Sequence, residues 1–291
     1  MKVFEQTNKH SLVSLLEERM EQANFKQTQK EIFQKLPKDF DIESSAIFYT
    51  PGEDYLETID IVEAVSSAKK RFVMFELGAG YGRWCINAMN ALKFLNPIPF
   101  HFVAVEAEIS HFRFLKEYFI AHGLNLKDHK LIKAAVDVNP GKAVFHMGDA
   151  NEWYGQCIDS EKVTFFNRIS YAIKNKYHNY FGKNALKTKG VVKTITLNSL
   201  LEKYEHVDLI DMDIQGFELA VLEASIDLLN KKVKRLHIGT HSKEIDEGLK
   251  NLFQKHGWQN VHLFPCLATS TTPYGVIEFN DGIQSWANPR I

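Results

Sequence analysis

Five short apolar runs constrain the fold of this chain more than any other feature. They are rich in Val, Ile and Phe, they do not alternate with polar residues, and helix-sized stretches separate most of them. Such runs are typical of strands buried on both faces of a parallel sheet that is covered by helices. We therefore expect an α/β fold. The runs span residues 72–77, 102–105, 131–136, 207–212 and 233–238.

Residues 1–70 have the pattern of a helical lead-in. Two segments place apolar residues at helical spacing, the first after Ser11, which is suited to cap a helix. A third, shorter pattern spans residues 32–36 and ends at Pro37. The apolar positions of the two longer helices are Leu12, Leu15, Leu16 and Met20, then Ile61, Val62 and Val65.

The interval between the third and fourth runs is longer than a crossover helix needs, and long loops in compact domains are usually functional. We therefore predict a domain over residues 71–291 with an inserted lid at about 140–195. The last part of the chain has two further apolar segments, 258–264 and 276–279, which flank a turn at 272–275. They predict an antiparallel pair at the edge of the sheet. The insertion contains the aromatic residues Trp153, Tyr154, Phe165, Phe166, Tyr171, Tyr177, Tyr180 and Phe181.

Composition excludes several classes of protein. With 45% hydrophobic residues the chain is globular, and 35 Lys and Arg against 36 Asp and Glu give no general field that favours nucleic acid or an anionic membrane. Cys85, Cys157 and Cys266 are odd in number and include no Cys-x-x-Cys pair, which argues against a disulfide framework and a structural zinc site. Since neither a signal peptide nor a membrane span is visible, we expect a cytoplasmic protein.

A glycine-rich turn follows the first run, with glycines at 78, 80 and 82 before a helical stretch. Such a turn lets a ligand approach the backbone and the N–H groups at the helix start. A dinucleotide fingerprint requires a sixth-position glycine, where this chain has Arg83. Glu76 would repel a pyrophosphate but would suit the ammonium and sulfonium of S-adenosylmethionine, so we predict that cofactor.

The second and third runs extend the predicted cofactor site. Glu106 ends the second run, where a carboxylate accepts ribose hydroxyls, although it could instead cap the next helix. Small residues at the end of the third run leave room for a flat adenine. Tyr81 and Trp84 either line the pocket or pack in the core. The predicted cofactor residues are Glu76, Gly78, Ala79, Gly80, Tyr81, Gly82, Trp84, Glu106, Ala107, Ala134, Ala135 and Val136.

Four motifs together resemble the FkbM family of S-adenosylmethionine-dependent methyltransferases. They are residues 76–82, residues 105–107, residues 133–137 with Gly141, and the segment DLIDMDIQGFE at 208–218 with residues 221–224. The resemblance covers roughly residues 72–241. It implies a class I, Rossmann-like methyltransferase fold: a mostly parallel seven-stranded sheet with helices on both faces. It also implies methylation of hydroxyls of sugars, polysaccharide precursors or polyketide-type products.

The fourth run ends in Asp211 and Asp213, where the family has a basic residue at 211 and a glutamate at 215. An Asp-x-Asp pair here resembles the metal-dependent TylF-type sugar O-methyltransferases, in which paired carboxylates hold magnesium and one serves as base. Carboxylates suit such a cation, and His241 either completes the site or acts as base. Asp213, His241 and Asp211 are therefore the catalytic candidates and the candidate ligands of a divalent metal. The structural alternatives are helix capping by Asp213, a bridging role for His241, and a charge at Glu218 that suits the dipole in the first turn of a helix.

The sequence favours an S-adenosylmethionine-dependent O-methyltransferase that acts on a small polar acceptor: a sugar, nucleotide-sugar or glycan precursor. One alternative is a nicotinamide-dependent oxidoreductase, which would bind NAD rather than S-adenosylhomocysteine. Another is a module that binds the cofactor without catalysis. A nucleic-acid methyltransferase is disfavoured, because residues 213–216 lack the proline-aromatic pair that grips a flipped base and the chain has no basic excess.

Overall fold

The computed structural model describes residues 2–24, 53–147, 157–159 and 188–291, with isolated positions at 27–28, 31 and 34. The helices are α1 (Lys2–Gln22), α2 (Glu53–Ser67), α3 (Arg83–Leu95), α4 (Ile109–Ala121), α5 (Leu197–Leu201), α6 (Glu218–Lys232) and α7 (Lys243–Lys255). The strands are β1 (Phe72–Leu77), β2 (Phe100–Glu106), β3 (Lys130–Lys133), β4 (Ala135–Val136), β5 (Gly141–Met147), β6 (Thr188–Ile195), β7 (Leu209–Met212), β8 (Arg235–Thr240), β9 (Gln259–Phe264), β10 (Ala268–Thr272), β11 (Gly275–Phe279) and β12 (Gly282–Ala287).

The main sheet has seven strands in the order β3-β2-β1-β7-β8-β12-β9. The first five are mutually parallel, and β12 is antiparallel to both of its neighbours. This confirms the predicted α/β fold with a mostly parallel seven-stranded sheet. Because β1 pairs with β2 on one side and β7 on the other, the strand order reverses there, and ligands bind beyond the carboxyl ends of strands at such a point.

The central strand β1 explains why the sheet is covered on both faces. All six of its residues are buried. Phe72 and Met74 pack in the core on one face, whereas Val73, Phe75 and Leu77 pack on the other. Each such buried side chain contributes about 1.5–3 kcal/mol of hydrophobic stabilisation. The apolar run therefore requires helices on both sides of the sheet, as the sequence predicted.

The two lead-in helices share the first of these cores. Val13, Leu16 and Met20 of α1 are buried together with Ile61, Val62 and Val65 of α2. The predicted cap at Ser11 is wrong, because α1 runs through that position from Lys2 without a proline or glycine to stop it. Leu15 is 37% exposed, so Val13 rather than Leu15 belongs to the buried face. The pattern at 32–36 lies outside the described residues.

The third apolar run forms two strands rather than one. β3 pairs with β2 in the main sheet, but the chain leaves that sheet at Ala134, and β4 pairs with β6. β5 pairs antiparallel with β6, so a three-stranded sheet, β4-β6-β5, forms the base of the predicted insertion. The eight aromatic residues of the predicted lid lie outside the described residues.

The predicted pairing of the last strands is wrong. Residues 259–264 and 276–279 do form strands, but they do not pair with each other: β9 pairs with β12, and β11 forms a separate hairpin with β10. The prediction missed β12, which lies between β8 and β9. Its residues Gln284 and Ser285 are polar yet buried, because Gln284 donates to the backbone carbonyl of Asp246 and Ser285 donates to the carboxylate of Asp60. Their polarity hid the strand from an apolar pattern.

Among the described residues, no helix has both the length and the apolar character that crossing a bilayer requires.

Candidate active site

A cleft opens where β1, β2 and β7 end, with about 600 Å³ of empty space that includes open solvent. The glycine turn forms one side, and the backbone N–H groups of Gly78 and Ala79 both donate to the carbonyl of Val105, at 3.0 Å. Gly78 and Gly80 both have positive φ, at 84° and 53°, so the turn depends on residues that adopt this conformation without strain.

Glu106, at the end of β2, binds the glycine turn through its carboxylate. One oxygen accepts a hydrogen bond from the N–H of Gly80 at 2.8 Å, and the other accepts from the N–H of Glu108 at 2.7 Å. Burial raises the pKa of Glu106 to about 7. The cap of α4 is Glu108 rather than Glu106, since Glu108 accepts from the first N–H groups of that helix. The carboxylate of Glu106 therefore remains available to a ligand.

The opposite wall of the cleft is apolar. It consists of the small residues predicted to face an adenine, and Phe145 and Ile158 of the insertion complete it. Of the twelve predicted cofactor residues, the following line the cleft: Gly78, Gly80, Glu106, Ala107, Ala134, Ala135 and Val136.

Glu76 does not line the cleft. It is 2% exposed, and its carboxylate accepts hydrogen bonds from the N–H groups of Trp84 and Cys85, at 3.3 and 2.8 Å. Gly82, at the start of α3, has no side chain to cap the helix, so Glu76 does this from the neighbouring strand. Burial, with a further contribution from Asp211, raises the pKa of Glu76 to about 8. The carboxylate of Glu76 was predicted to face the positive charges of the cofactor, but it faces the start of α3 and does not line the cleft.

The other predicted cofactor residues also lie away from the cleft. Tyr81 packs edge-on against Tyr118 with ring centroids 5.1 Å apart, and Trp84 packs against the same core and beneath the guanidinium of Arg83. Ala79 is buried in that core. Gly82 faces the α4 side chains, where a Cβ would approach Leu115 to 2.5 Å. These residues shape the turn and anchor it.

Asp213 and His241 come together at the rim of the cleft. Asp213 lines the cleft with a half-exposed side chain, and its Oδ1 lies 3.2 Å from Nε2 of His241. Gln215 donates from its amide to the same Oδ1, at 2.8 Å. On the other side of the imidazole, Nδ1 lies 3.1 Å from Oε1 of Glu218, which is fully buried. The imidazole therefore lies between two carboxylates.

These contacts fix the charges of the group. The hydrogen bonds and charges of Asp213 and Glu218 outweigh the burial of His241 and raise its pKa to about 10. His241 in turn holds the pKa of Asp213 below its usual range against the effect of burial. At neutral pH the site contains an imidazolium beside an ionised, half-exposed carboxylate. Such a carboxylate can accept a hydrogen bond, and then a proton, from a hydroxyl in the cleft.

Comparison with known proteins identifies the family. The model of the methyltransferase FkbM domain matches residues 78–257, more than half of the chain. The chain belongs to the FkbM methyltransferase family. A curated protein of Jannaschia sp. (strain CCS1), named "Putative methyltransferase", is 24% identical over 252 residues, which cover 84% of this chain and 83% of that protein.

Two solved structures are also similar. An FkbM methyltransferase from Methylobacillus flagellatus KT has 12% identity and a TM-score of 0.44, with 89% of this chain and 58% of that one covered. A precorrin-6y C5,15-methyltransferase from Geobacter metallireducens GS-15 has 13% identity and a TM-score of 0.41, with 87% and 96% covered. At these scores neither structure bears on the activity of this chain.

Asp211 lies apart from Asp213. It is 5% exposed within β7 and interacts with Glu57 of α2 and with His237 of β8. The three residues predicted from the Asp-x-Asp pattern to hold one metal are therefore not brought together. Asp213 and His241 instead form a group with Glu218. Glu218 has a structural role, but it does not cap α6: it accepts hydrogen bonds from the N–H groups of Ile214 and Gly216, which precede the helix.

Several residues of the cleft were missed from the sequence: Val105, His111, Phe145, Ile158, Ile214 and Gln215. Gln215 had no clear signal, because its φ of 56° is uncommon for a residue other than glycine. Phe145 and Ile158 had none, since they come from the insertion. A bridge between these two residues brings the 157–159 segment against β5.

Proposed function

We propose that this protein is an S-adenosylmethionine-dependent O-methyltransferase that methylates a hydroxyl of a small polar acceptor, a sugar, nucleotide-sugar or glycan precursor. One observation carries the proposal: the half-exposed carboxylate of Asp213 faces the same cleft as the glycine turn and Glu106. A proton acceptor and a cofactor cradle in one cleft are what methyl transfer to a hydroxyl requires.

The residues of the cleft fit S-adenosylmethionine. Gly78 and Gly80 would let the cofactor approach the backbone closely, Glu106 would accept hydrogen bonds from its ribose hydroxyls, and the wall at 134–136 would face its adenine. Glu106 has lone pairs for this in addition to those that bind Gly80 and Glu108. When bound, the cofactor supplies an electrophilic methyl group.

Asp213 orients the hydroxyl of the substrate and accepts its proton. Its carboxylate accepts a hydrogen bond from the acceptor hydroxyl and so orients an oxygen lone pair into the cleft. As that oxygen forms its new bond to carbon, its proton becomes strongly acidic, so a carboxylate with a low pKa can take it. The proton moves from the hydroxyl oxygen to a carboxylate oxygen of Asp213.

His241 and Glu218 keep Asp213 ready for this step. The imidazolium of His241 stabilises the ionised form of Asp213, and the buried carboxylate of Glu218 stabilises the imidazolium. Glu218 also fixes the turn that carries Asp213 and Gln215 through its hydrogen bonds to residues 214 and 216. A divalent metal has no part in this proposal, because His241 supplies the positive charge beside Asp213.

The test measures the release of S-adenosylhomocysteine from S-adenosylmethionine with a panel of sugars, nucleotide-sugars and glycan precursors, and with a structured RNA. The binding of S-adenosylhomocysteine and of NAD is measured separately. We expect turnover with at least one hydroxyl acceptor and none with RNA. Turnover with RNA alone would contradict the acceptor class. Tight binding of S-adenosylhomocysteine without turnover on any acceptor would favour a non-catalytic module, and binding of NAD alone would favour an oxidoreductase.

A further inference from the structure

A second group of ionisable side chains lies under the sheet, on the face that α2 covers. It consists of Glu57 of α2, Asp211 of β7 and His237 of β8. One ligand atom from each residue lies within 4.8 Å of the other two. Asp211 and His237 are 5% and 4% exposed, and the side chain of Glu57 is 14% exposed. The group is therefore nearly closed to solvent.

His237 is oriented toward the two carboxylates. Its Nδ1 lies 2.7 Å from Oδ2 of Asp60, which the hydroxyl of Ser285 also contacts. Its Nε2 has Glu57 Oε2 at 3.9 Å, which is beyond hydrogen-bond distance, and makes no hydrogen bond within the described part of the chain. A carboxylate that accepts a hydrogen bond from one ring N–H orients the imidazole, and histidines that bind metals through the other nitrogen are held in this way.

The geometry suits one cation between these atoms. Two ligand atoms that are each about 2.0–2.2 Å from one ion can be no more than about 4.4 Å apart. The 3.9 Å between His237 Nε2 and Glu57 Oε2 is within that limit. A cation between Glu57 and Asp211 would offset the cost of burying two carboxylates side by side, as the proton that they share in a hydrogen bond does without it. An imidazole with carboxylates suits a divalent transition-metal ion such as Zn²⁺ or Mn²⁺.

We propose that Glu57, Asp211 and His237 bind one divalent transition-metal ion, with Asp60 as the residue that orients His237. The site is separate from the cleft and does not depend on the proposed methylation. Glu57 and Asp60 precede residues 78–257, which match the family, whereas Asp211 and His237 lie within them. The ion would fasten α2 to β7 and β8, the two strands that lead to Asp213 and His241.

The experiment uses the full-length protein without an affinity tag. Its metal content is measured after exhaustive chelation, and then its binding of Zn²⁺ and of Mn²⁺ alone is measured by calorimetry, with the melting temperature as second readout. We expect one ion per chain and a higher melting temperature with the ion than without it. Wild-type protein that binds neither ion would overturn the proposal.

Variants locate the ion. Glu57→Gln should lower the affinity for the ion at least tenfold. Asp211→Asn is the second ligand variant, used if Glu57→Gln does not fold. Asp60→Asn, which changes the residue that orients His237, should lower the affinity about 10–100-fold. Asp213→Asn is the matched control, because it removes a carboxylate from the other group only, and should bind the ion as wild type does. Unchanged binding in a folded Glu57→Gln or Asp211→Asn variant, or lost binding in Asp213→Asn alone, would place the ion elsewhere and overturn the proposal.

Discussion

A Cβ atom at Gly78 would lie 1.7 Å from the carbonyl oxygen of Asp213. The main chains of the cofactor turn and of the proposed catalytic residue are thus in direct contact, and the N–H of Asp213 donates to the carbonyl of Leu77 at 2.9 Å. Because backbone atoms set this contact, the place of Asp213 beside the cleft does not depend on a side-chain rotamer.

Gly78→Ala should therefore destabilise the protein severely, by at least about 4 kcal/mol, since backbone cannot move aside as a flexible side chain can. Gly123→Ala is the matched control: its φ of 80° is close to the 84° of Gly78, but nothing lies within 4 Å of its added Cβ. The control should lose only about 1–2 kcal/mol from the left-handed backbone. Urea unfolding of both variants measures the difference, and equal losses would show that crowding at Gly78 is unimportant.

Asp213→Asn should reduce kcat by about 10²–10⁴-fold, because the variant keeps a hydrogen-bonding group but loses the proton acceptor. The affinity for S-adenosylhomocysteine should stay within about twofold, since that ligand is held by the glycine turn and Glu106. Asp227→Asn, a charge change on the exposed face of α6, is the control. If Asp213→Asn retains wild-type turnover, Asp213 has no part in the chemistry.

The pH dependence of kcat distinguishes Asp213 from His241 as the base. A histidine base with its ordinary pKa would make the rate rise through about pH 6.5. The two flanking carboxylates raise the pKa of His241 to about 10, so we expect no such rise between pH 6 and 8 when both substrates are saturating. A clear inflection near pH 6.5 that disappears in His241→Asn would assign the base to His241.

The free energy of unfolding should also depend on the charged form of His241. The pKa of His241 is about 10 in the folded protein and about 6.5 when unfolded, so its stabilising effect is complete below pH 6.5 and is lost as the pH rises through 10. At pH 6, His241→Asn should lose about 1.5–3 kcal/mol, the usual range for hydrogen bonds to charged groups. The gap between wild type and variant should narrow toward pH 10 in denaturant titrations. A gap that widens with pH would mean that His241 is neutral in the fold.

Glu106→Gln should weaken the binding of S-adenosylhomocysteine about tenfold, or about 1.4 kcal/mol, because an amide oxygen is a weaker acceptor than a carboxylate for ribose hydroxyls. Calorimetry at pH 8, where Glu106 with its pKa of about 7 is mostly ionised, gives the clearest contrast. Glu223→Gln, on the exposed surface of α6, controls for loss of charge. Equal affinities of Glu106→Gln and wild type would remove Glu106 from the cofactor site.

Much of the fold could be predicted because burial on both faces leaves a clear mark in the sequence. The bounds of β1 were predicted to the residue, since a charged residue, Arg71, precedes the run and the first glycine of the turn, Gly78, follows it. The break at Ala134 could not be predicted, because β3 and β4 form one run and only their partners differ. β12 was missed because its buried polar residues are hydrogen-bonded to residues far away along the chain.

The candidate site was predictable only in part for a similar reason. Local sequence placed Gly78, Gly80 and Glu106 correctly, because a turn and the next strand end define them. It could not tell whether Glu76 faces a ligand or the helix that follows, since both lie beside the same turn. Nor could it separate Asp211 from Asp213, because the surroundings of Asp211 come from α2, more than a hundred residues earlier.

The position of β12 between β8 and β9 has a consequence for synthesis on the ribosome. β9 leaves the exit tunnel first, but it has no place in the main sheet until residues 282–287 have followed it. Until then the nascent chain presents the open edge of β8, which would pair with a strand of another molecule as readily as with its own. A chaperone that shields the edge of β8, or a change in the rate at which the ribosome completes residues 282–287, would change the yield of folded protein without changing its stability.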